Sequence, residues 1–291
     1  MPQIILPDTG LMNIYDENSA HRLAEDTHSG KFRGYSGRNY DAHPYGAMPW
    51  ENFPVPVIPR SEWSDRIKEC NAKKLFSLHH HQLQKVPIMD QGRTNYCWIN
   101  SVVGAIMNAR ARNGYPTVNL SSASAGAPGK KYKNVGGWTG EAIGYIGKYG
   151  LATHANWGNA VIDQSRFAPT REEAKLYGIG QWWELRSKRF DEIATCLLLG
   201  FDVVVGLQWW GHSVRYNALV EIGRNAFGVV AVNSWGPNWE SGGMTVLAES
   251  KANADEANCI TTGKPSGDSA AKLKADVDRL RTFADQLEIE G

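Results

Sequence analysis

The second half of the chain is written in short apolar runs separated by polar breaks. Residues 203–207 (Val-Val-Val-Gly-Leu), 214–222, 227–233 and 244–247 each read as a strand bounded by turn residues. The first half carries a different period. Val102, Val103, Ile106 and Met107 recur at i, i+3, i+4 spacing, which predicts a helix whose first turn falls at or near Cys97. Further helices are expected over residues 140–149 and 191–199. Residues 1–57 show neither period. They are dense in Pro, Gly, Asn, Asp and Tyr, with one short helix expected near residues 19–26, and such a stretch cannot bury a core of its own. At the other end a polar linker, residues 261–265, leads into an amphipathic helix from Ser269. Ala270, Val277 and Ala284 share one heptad position there, and Leu273, Leu280 and Leu287 the other. A helical half followed by a β half places the chain in the α+β class.

Composition narrows the function. A 291-residue chain that is 42% hydrophobic can bury a sizeable core, and a net charge of +1 leaves no basic field to attract nucleic acid or an anionic membrane. No apolar run approaches the roughly 20 residues that a membrane helix needs. The opening residues Met1 to Asp8 lack the basic and apolar segments of a secretory signal, so an intracellular location is expected. Cys70, Cys97, Cys196 and Cys259 show no Cys-x-x-Cys metal pattern, and Cys196 sits in an apolar run that reads as core. Consecutive side chains diverge, so His79, His80 and His81 read as a solvated loop rather than a metal site. No metal or organic cofactor is expected.

The chemistry is concentrated in three segments: Asp90-Gln91-Gly92-Arg93-Thr94-Asn95-Tyr96-Cys97-Trp98, Gly211-His212-Ser213 and Asn233-Ser234-Trp235-Gly236. A cysteine nucleophile needs a base, a group that orients the base and a donor for the oxyanion. Cys97, His212, Asn233 and Gln91 can supply those roles. At these residues the chain resembles the papain-like cysteine peptidases. In that family His and Asn follow the Cys by roughly 130–150 residues. Asn233 falls inside that window and His212 slightly short of it. Leu120-Ser121-Ser122, Gly136-Gly137-Trp138, Gly150-Leu151 and the pair Trp235 and Trp239 extend the resemblance from about residue 58 to about residue 260.

The resemblance implies a two-lobe papain-like fold, with a helical left lobe, an antiparallel β right lobe and the cleft between them. It implies a Cys97 thiolate paired with a protonated His212, Asn233 orienting the ring, and Gln91 with the Cys97 N–H as the oxyanion hole. Gly136 and Gly137 would pair with an extended polypeptide substrate, Trp235 would shield the His212–Asn233 contact, and Trp239 would wall the leaving-group side. The family's disulfide positions correspond to Thr94 and Asn134, so that bridge is absent, as suits a reducing compartment. Tyr96 is bulky where the family has a small residue, and Gly211 replaces the usual Asp or Asn. Three units are expected: an extended arm (1–57), a self-sufficient peptidase domain (58–260), and a linker with the C-terminal helix (261–291). The arm lacks the long helix of the family's inhibitory propeptide, which leaves a short occluding strand open. With aromatic anchors including Phe32, Tyr35, Tyr40, Tyr45, Trp50 and Phe53 it is expected to bind across this domain or a neighbouring subunit, and the tail to contact protein partners. The leading expectation is a cysteine endopeptidase. The alternatives are a peptidoglycan hydrolase and a papain-fold structural subunit of a larger assembly such as a virion.

Overall fold

The computed structural model describes residues 2–6, 9–25, 32–39 and 48–263. Its strands are β1 (Gln3–Leu6), β2 (Gly10–Tyr15), β3 (Met48–Pro49), β4 (Ile179–Leu185), β5 (Asp202–Leu207), β6 (His212–Gly223), β7 (Ala226–Val232), β8 (Met244–Ala248) and β9 (Glu256–Gly263). The helices are α1 (His21–Glu25), α2 (Trp63–Ala72), α3 (Ser77–Leu83), α4 (Cys97–Arg112), α5 (Ala123–Gly129), α6 (Thr139–Tyr149), α7 (Phe167–Ala174), α8 (Phe190–Leu198) and α9 (Glu249–Ala252). No helix among the described residues is long and apolar enough to cross a membrane.

One sheet runs β1-β2-β8-β7-β6-β5-β9-β4-β3. The four strands expected from the apolar runs form its centre, paired antiparallel from β5 through β8. Helix α4 starts at Cys97 and is buried almost end to end. It can lie that close because its contact face carries small residues. At Gly104, an added Cβ would come within 2.9 Å of the Arg215 side chain. Helices α4, α5 and α6 enclose one apolar core, and α2, α8 and strands β5 to β8 enclose a second.

A buried polar network pins α3, α4, β5 and β6 together. Asp202 accepts from Arg215 at 3.0 Å, from Asn108 at 3.0 Å and from the Ser77 hydroxyl at 2.5 Å. Arg215 also reaches His81 Nδ1 at 3.0 Å. The three histidines therefore depart from the expected solvated loop. They lie on α3 with His79 and His81 buried, because the helix turns them inward, where His81 can meet Arg215.

The arm departs further. Residues 1–57, read as an extended arm without a sustained period, contribute β1 and β2, a hairpin whose β2 pairs in parallel with β8, and β3, which pairs in parallel with β4 at the opposite edge. Met12, Ile14, Leu23, Trp50, Phe53 and Val55 are buried in the same core as α2, α8 and the central strands. The body from residue 58 is thus not closed by itself, because the arm covers both sheet edges and part of its core. Strands β4 and β9 were not anticipated, and β9 extends through residues 261–263, where a linker was expected. The C-terminal heptads at Leu273, Leu280 and Leu287 lie outside the described residues, as do Tyr40 and Tyr45.

Two outcomes follow from this packing. Met12→Ala should destabilise the chain by about 2–5 kcal/mol, as for a large apolar side chain removed from a closed core, and lower the urea midpoint. An unchanged midpoint would mean that the hairpin is not part of the folded unit. The second concerns acid. Burial, helped by the Arg215 charge, pushes His81 down to about 3. The unfolded chain binds that proton near the ordinary histidine value of about 6.5, so this stability is full above that value and lost as pH falls towards 3. His81→Gln, which keeps an acceptor for Arg215, should lose less stability than the parent chain between pH 7.5 and pH 5. Equal losses would contradict the assignment.

Candidate functional site

Cys97 opens α4, so its sulfur lies at the positive end of a long helix. The N–H groups of Gly34, Ser213 and Trp98 lie around that sulfur and favour its thiolate form. His212 opens β6, directly before Ser213, and the Ser213 hydroxyl is 2.8 Å from that of Ser101 on α4. The helix and the strand are therefore joined beside the two candidate catalytic groups.

The hydrogen bonds of His212 define its tautomer. Nε2 lies 2.7 Å from Asn233 Oδ1, and that oxygen also accepts the Ser234 N–H at 2.7 Å. Turning the Asn233 amide over would set its NH2 against the Ser234 N–H, so the oxygen belongs where it is. His212 must then donate from Nε2, which leaves the lone pair on Nδ1. Nδ1 carries no hydrogen bond. Trp210 and Trp235 flank the imidazole, with ring centroids at 4.9 Å and 4.7 Å, and Trp239 meets Trp235 edge-on at 5.8 Å.

Gln91 is fixed from the β side. Its N–H donates to Ser234 O at 2.9 Å, and its Oε1 accepts from the Ser234 hydroxyl at 2.7 Å. Its Nε2 then points away from Ser234 and donates to Thr94 O at 2.7 Å and Phe32 O at 2.8 Å. A peptide carbonyl from the arm thus occupies the donor expected to serve the oxyanion.

The sequence left a short occluding strand from the arm open, but its path, a strap, was not foreseen. Residues 32–38 cross the site between the glycine pair and His212. Gly34 N–H donates to Cys97 Sγ at 3.2 Å. Gly137 N–H donates to Gly34 O at 2.8 Å, Ser36 N–H to Gly137 O at 3.1 Å, and Tyr35 N–H to Gly211 O at 3.3 Å. The strap runs parallel to Gly137. Arg33 donates to Leu23 O at 2.9 Å and to Ala24 O, Trp210 Nε1 donates to Leu23 O at 3.0 Å, and Arg38 pairs with Glu184. Only glycine fits at residue 34, since a Cβ would run into the Asn95 backbone. The Gly-Tyr-Ser-Gly run at 34–37 was the available signal.

The strap changes the protonation expected at the site. Burial pushes the Cys97 thiol up to about 11, against the pull of the surrounding N–H groups. Burial likewise pushes His212 down to about 3. The Asn233 bond opposes that shift, while the Arg33 charge adds to it. With the strap seated, burial therefore favours a neutral thiol and imidazole over the thiolate and imidazolium that the resemblance implies. Desolvation outweighs the local donors.

Two departures in sequence have structural answers. Tyr96 turns away from the cleft, donates to Lys133 O at 2.9 Å and packs on Trp98 and Gly126, so its bulk lies in the helical core. Where the disulfide is missing, Asn134 joins the loops instead. It accepts the Asn95 N–H at 2.7 Å and donates to Arg93 O at 3.1 Å. Among the described residues no cluster of His, Cys, Asp or Glu could hold a metal ion.

No sequence-family model matches the chain, and no curated protein sequence matches it either. Solved structures do. Digestive procathepsin L 3 of Tenebrio molitor larval midgut is 19% identical over 59% of this chain and 65% of its own, with a TM-score of 0.51. Xylellain, a cysteine protease from Xylella fastidiosa, is 19% identical over 60% of this chain and 82% of its own, at 0.52. A structure from the comparison of the mite allergens Blo t 1 and Der p 1 is 16% identical over 80% of both chains, at 0.56. The fold is that of the papain-like cysteine proteases.

Proposed function

From the papain-like fold and the geometry of its cleft, we propose that this protein is a cysteine endopeptidase held latent by its own strap. The observation that carries the reading is the Phe32 carbonyl on Gln91 Nε2, a peptide carbonyl accepting from the side-chain amide proposed for the oxyanion. Once the strap leaves, His212 Nδ1 takes the Cys97 proton and the thiolate attacks a substrate carbonyl. Gln91 Nε2 and the Cys97 N–H hold the oxyanion. The imidazolium then protonates the leaving amine, and water hydrolyses the thioester with His212 as base. Asn233 keeps the ring in the tautomer this needs, and Gly137 offers its N–H and C=O to an extended peptide of any sequence.

A second reading is a papain-fold structural subunit of a larger assembly. The strap favours it in one respect, since the chain on both sides of it is held in sheet strands, β2 on β8 and β3 on β4.

Gly34→Val separates the two. A valine cannot lie against the Asn95 backbone, so the strap must leave the cleft while the hairpin stays paired. The full-length variant should hydrolyse a denatured protein that the parent chain leaves largely intact, and adding Cys97→Ala should abolish the activity. Adding Gln91→Ala should lower kcat about 10²–10³-fold, the usual loss for one oxyanion donor. If Gly34→Val stays inactive while Cys97 becomes accessible to alkylation, the structural reading stands.

A further inference from the structure

The buried network of Asp202, Arg215 and His81 reaches the surface at one point. His81 lines a cavity of about 520 Å³ between the β1–β2 hairpin, the end of α3 and the loop that leads into β8. The hairpin supplies Leu11, the turn after α3 supplies Lys85 and Val86, and Ser241 and Met244 close the far side. That volume is ordinary for a small-molecule site. The hairpin belongs to the arm, so the cavity exists only while the arm is docked.

Its chemistry is fixed by the groups that open on it. A guanidinium can only donate, so the 3.0 Å contact with Arg215 makes His81 Nδ1 the acceptor. Burial keeps His81 neutral, and its one ring hydrogen is therefore on Nε2, across the ring from Arg215 and on the cavity side. The side chain is 5% exposed, and Nε2 has no partner among the described residues. Lys85 is exposed at the rim and forms no ion pair among the described residues. None of the lining residues is acidic. The adjacent Glu240 is already engaged, accepting from Asn13 and from Tyr15 at 2.7 Å each. The last carbonyls of α3 are taken as well, His81 O by the Val86 N–H at 3.0 Å and Gln82 O by the Lys85 N–H at 3.1 Å. Two donors, one of them charged, thus open on the cavity, and charge complementarity calls for an anion. Beside them lie Val86, Met244 and Leu11, and Leu11 is 52% exposed. A purely inorganic anion would leave that apolar wall in water.

We infer that this cavity binds an organic acid with an apolar body, its carboxylate on His81 Nε2 and Lys85 and its body on Leu11, Val86 and Met244. The ligand touches the hairpin, the end of α3 and β8 together, so it binds the docked arm and not the released one. A ligand with that preference stabilises the docked arm by mass action. The site is therefore a clamp on the arm, worked by a small molecule. It does not depend on the peptidase reading above.

The test titrates the full-length chain with octanoate, acetate and octanol and reads the heat of binding. Octanoate should bind about tenfold tighter or more than either control, since acetate lacks the apolar body and octanol lacks the charge. Lys85→Ala, a change at an exposed residue, should weaken octanoate about threefold or more. Leu11→Asn should weaken octanoate and leave acetate unchanged. With the histidines labelled at nitrogen, the His81 Nε2–H resonance, assigned by its loss in His81→Gln, should shift when octanoate is added. Amide hydrogen exchange over β1 and β2 should slow in octanoate, and should not slow in Lys85→Ala at the same concentration. No binding of octanoate, equal binding of octanol, or binding that leaves the His81 resonance or the Lys85→Ala affinity unchanged would overturn the site. Binding with the expected resonance shift but unchanged exchange in the hairpin would overturn the clamp.

Discussion

The cleft depends on one close approach of backbone to backbone. Gly34 lies against Asn95 on one side, and its carbonyl lies against Gly136 and bonds Gly137 on the other. No side chain fits at Gly34 or Gly136, so the chain can pass between the lobes while it touches the sulfur. The other features of the site follow from that passage. The Gly34 N–H reaches Cys97, the Phe32 carbonyl reaches Gln91, the Tyr35 ring reaches Gly206, and water is excluded from His212.

Exclusion of water acts on the chemistry as well as on access. The start of α4 and the N–H groups around the sulfur favour a thiolate, and the Asn233 bond favours an imidazolium. Burial works against both charges and is the larger effect. Arg33, brought in by the same strap, adds a positive charge that opposes protonation of His212. In the proposed peptidase the strap restrains the pair in two ways, by occupying the donor assigned to the oxyanion and by making charge separation unfavourable. Its retention is also structural. The chain before it is pinned as β1 and β2, and the chain after it as β3, so the strap is tied into the fold at both ends.

Much of this was legible in the sequence because local patterns coincided with global roles. The helical period beginning near Cys97 marked α4, and the apolar runs marked β5 to β8, since buried central strands need little beyond apolar continuity. Of the segments around Gln91, Cys97, His212 and Asn233, the fold bonds His212 to Asn233 and Gln91 to Ser234, and sets Ser213 beside Cys97. The arm was not legible in the same way. Its hairpin is only part apolar, because an edge strand needs one covered face, and Met12 and Ile14 have meaning only against β8 and the core beneath it. The His79–His81 run was misread because the partner that draws His81 inward, Arg215, is distant in sequence. The strap was hardest to foresee. Gly34 is required by Asn95 and Gly136, and Tyr35 is accommodated by Gly206, and none of those constraints is local.

The most direct measurement is the rate at which iodoacetamide modifies Cys97 at pH 6, compared between the intact chain and full-length Gly34→Val. With the strap seated, the buried neutral thiol should react slowly and show no advantage over Cys70, Cys196 or Cys259. With the strap displaced, Cys97 should be modified first and much faster, because water returns to the cleft and the thiolate–imidazolium pair can form. Rapid and selective labelling of Cys97 in the intact chain would contradict a strap that holds the site neutral and closed.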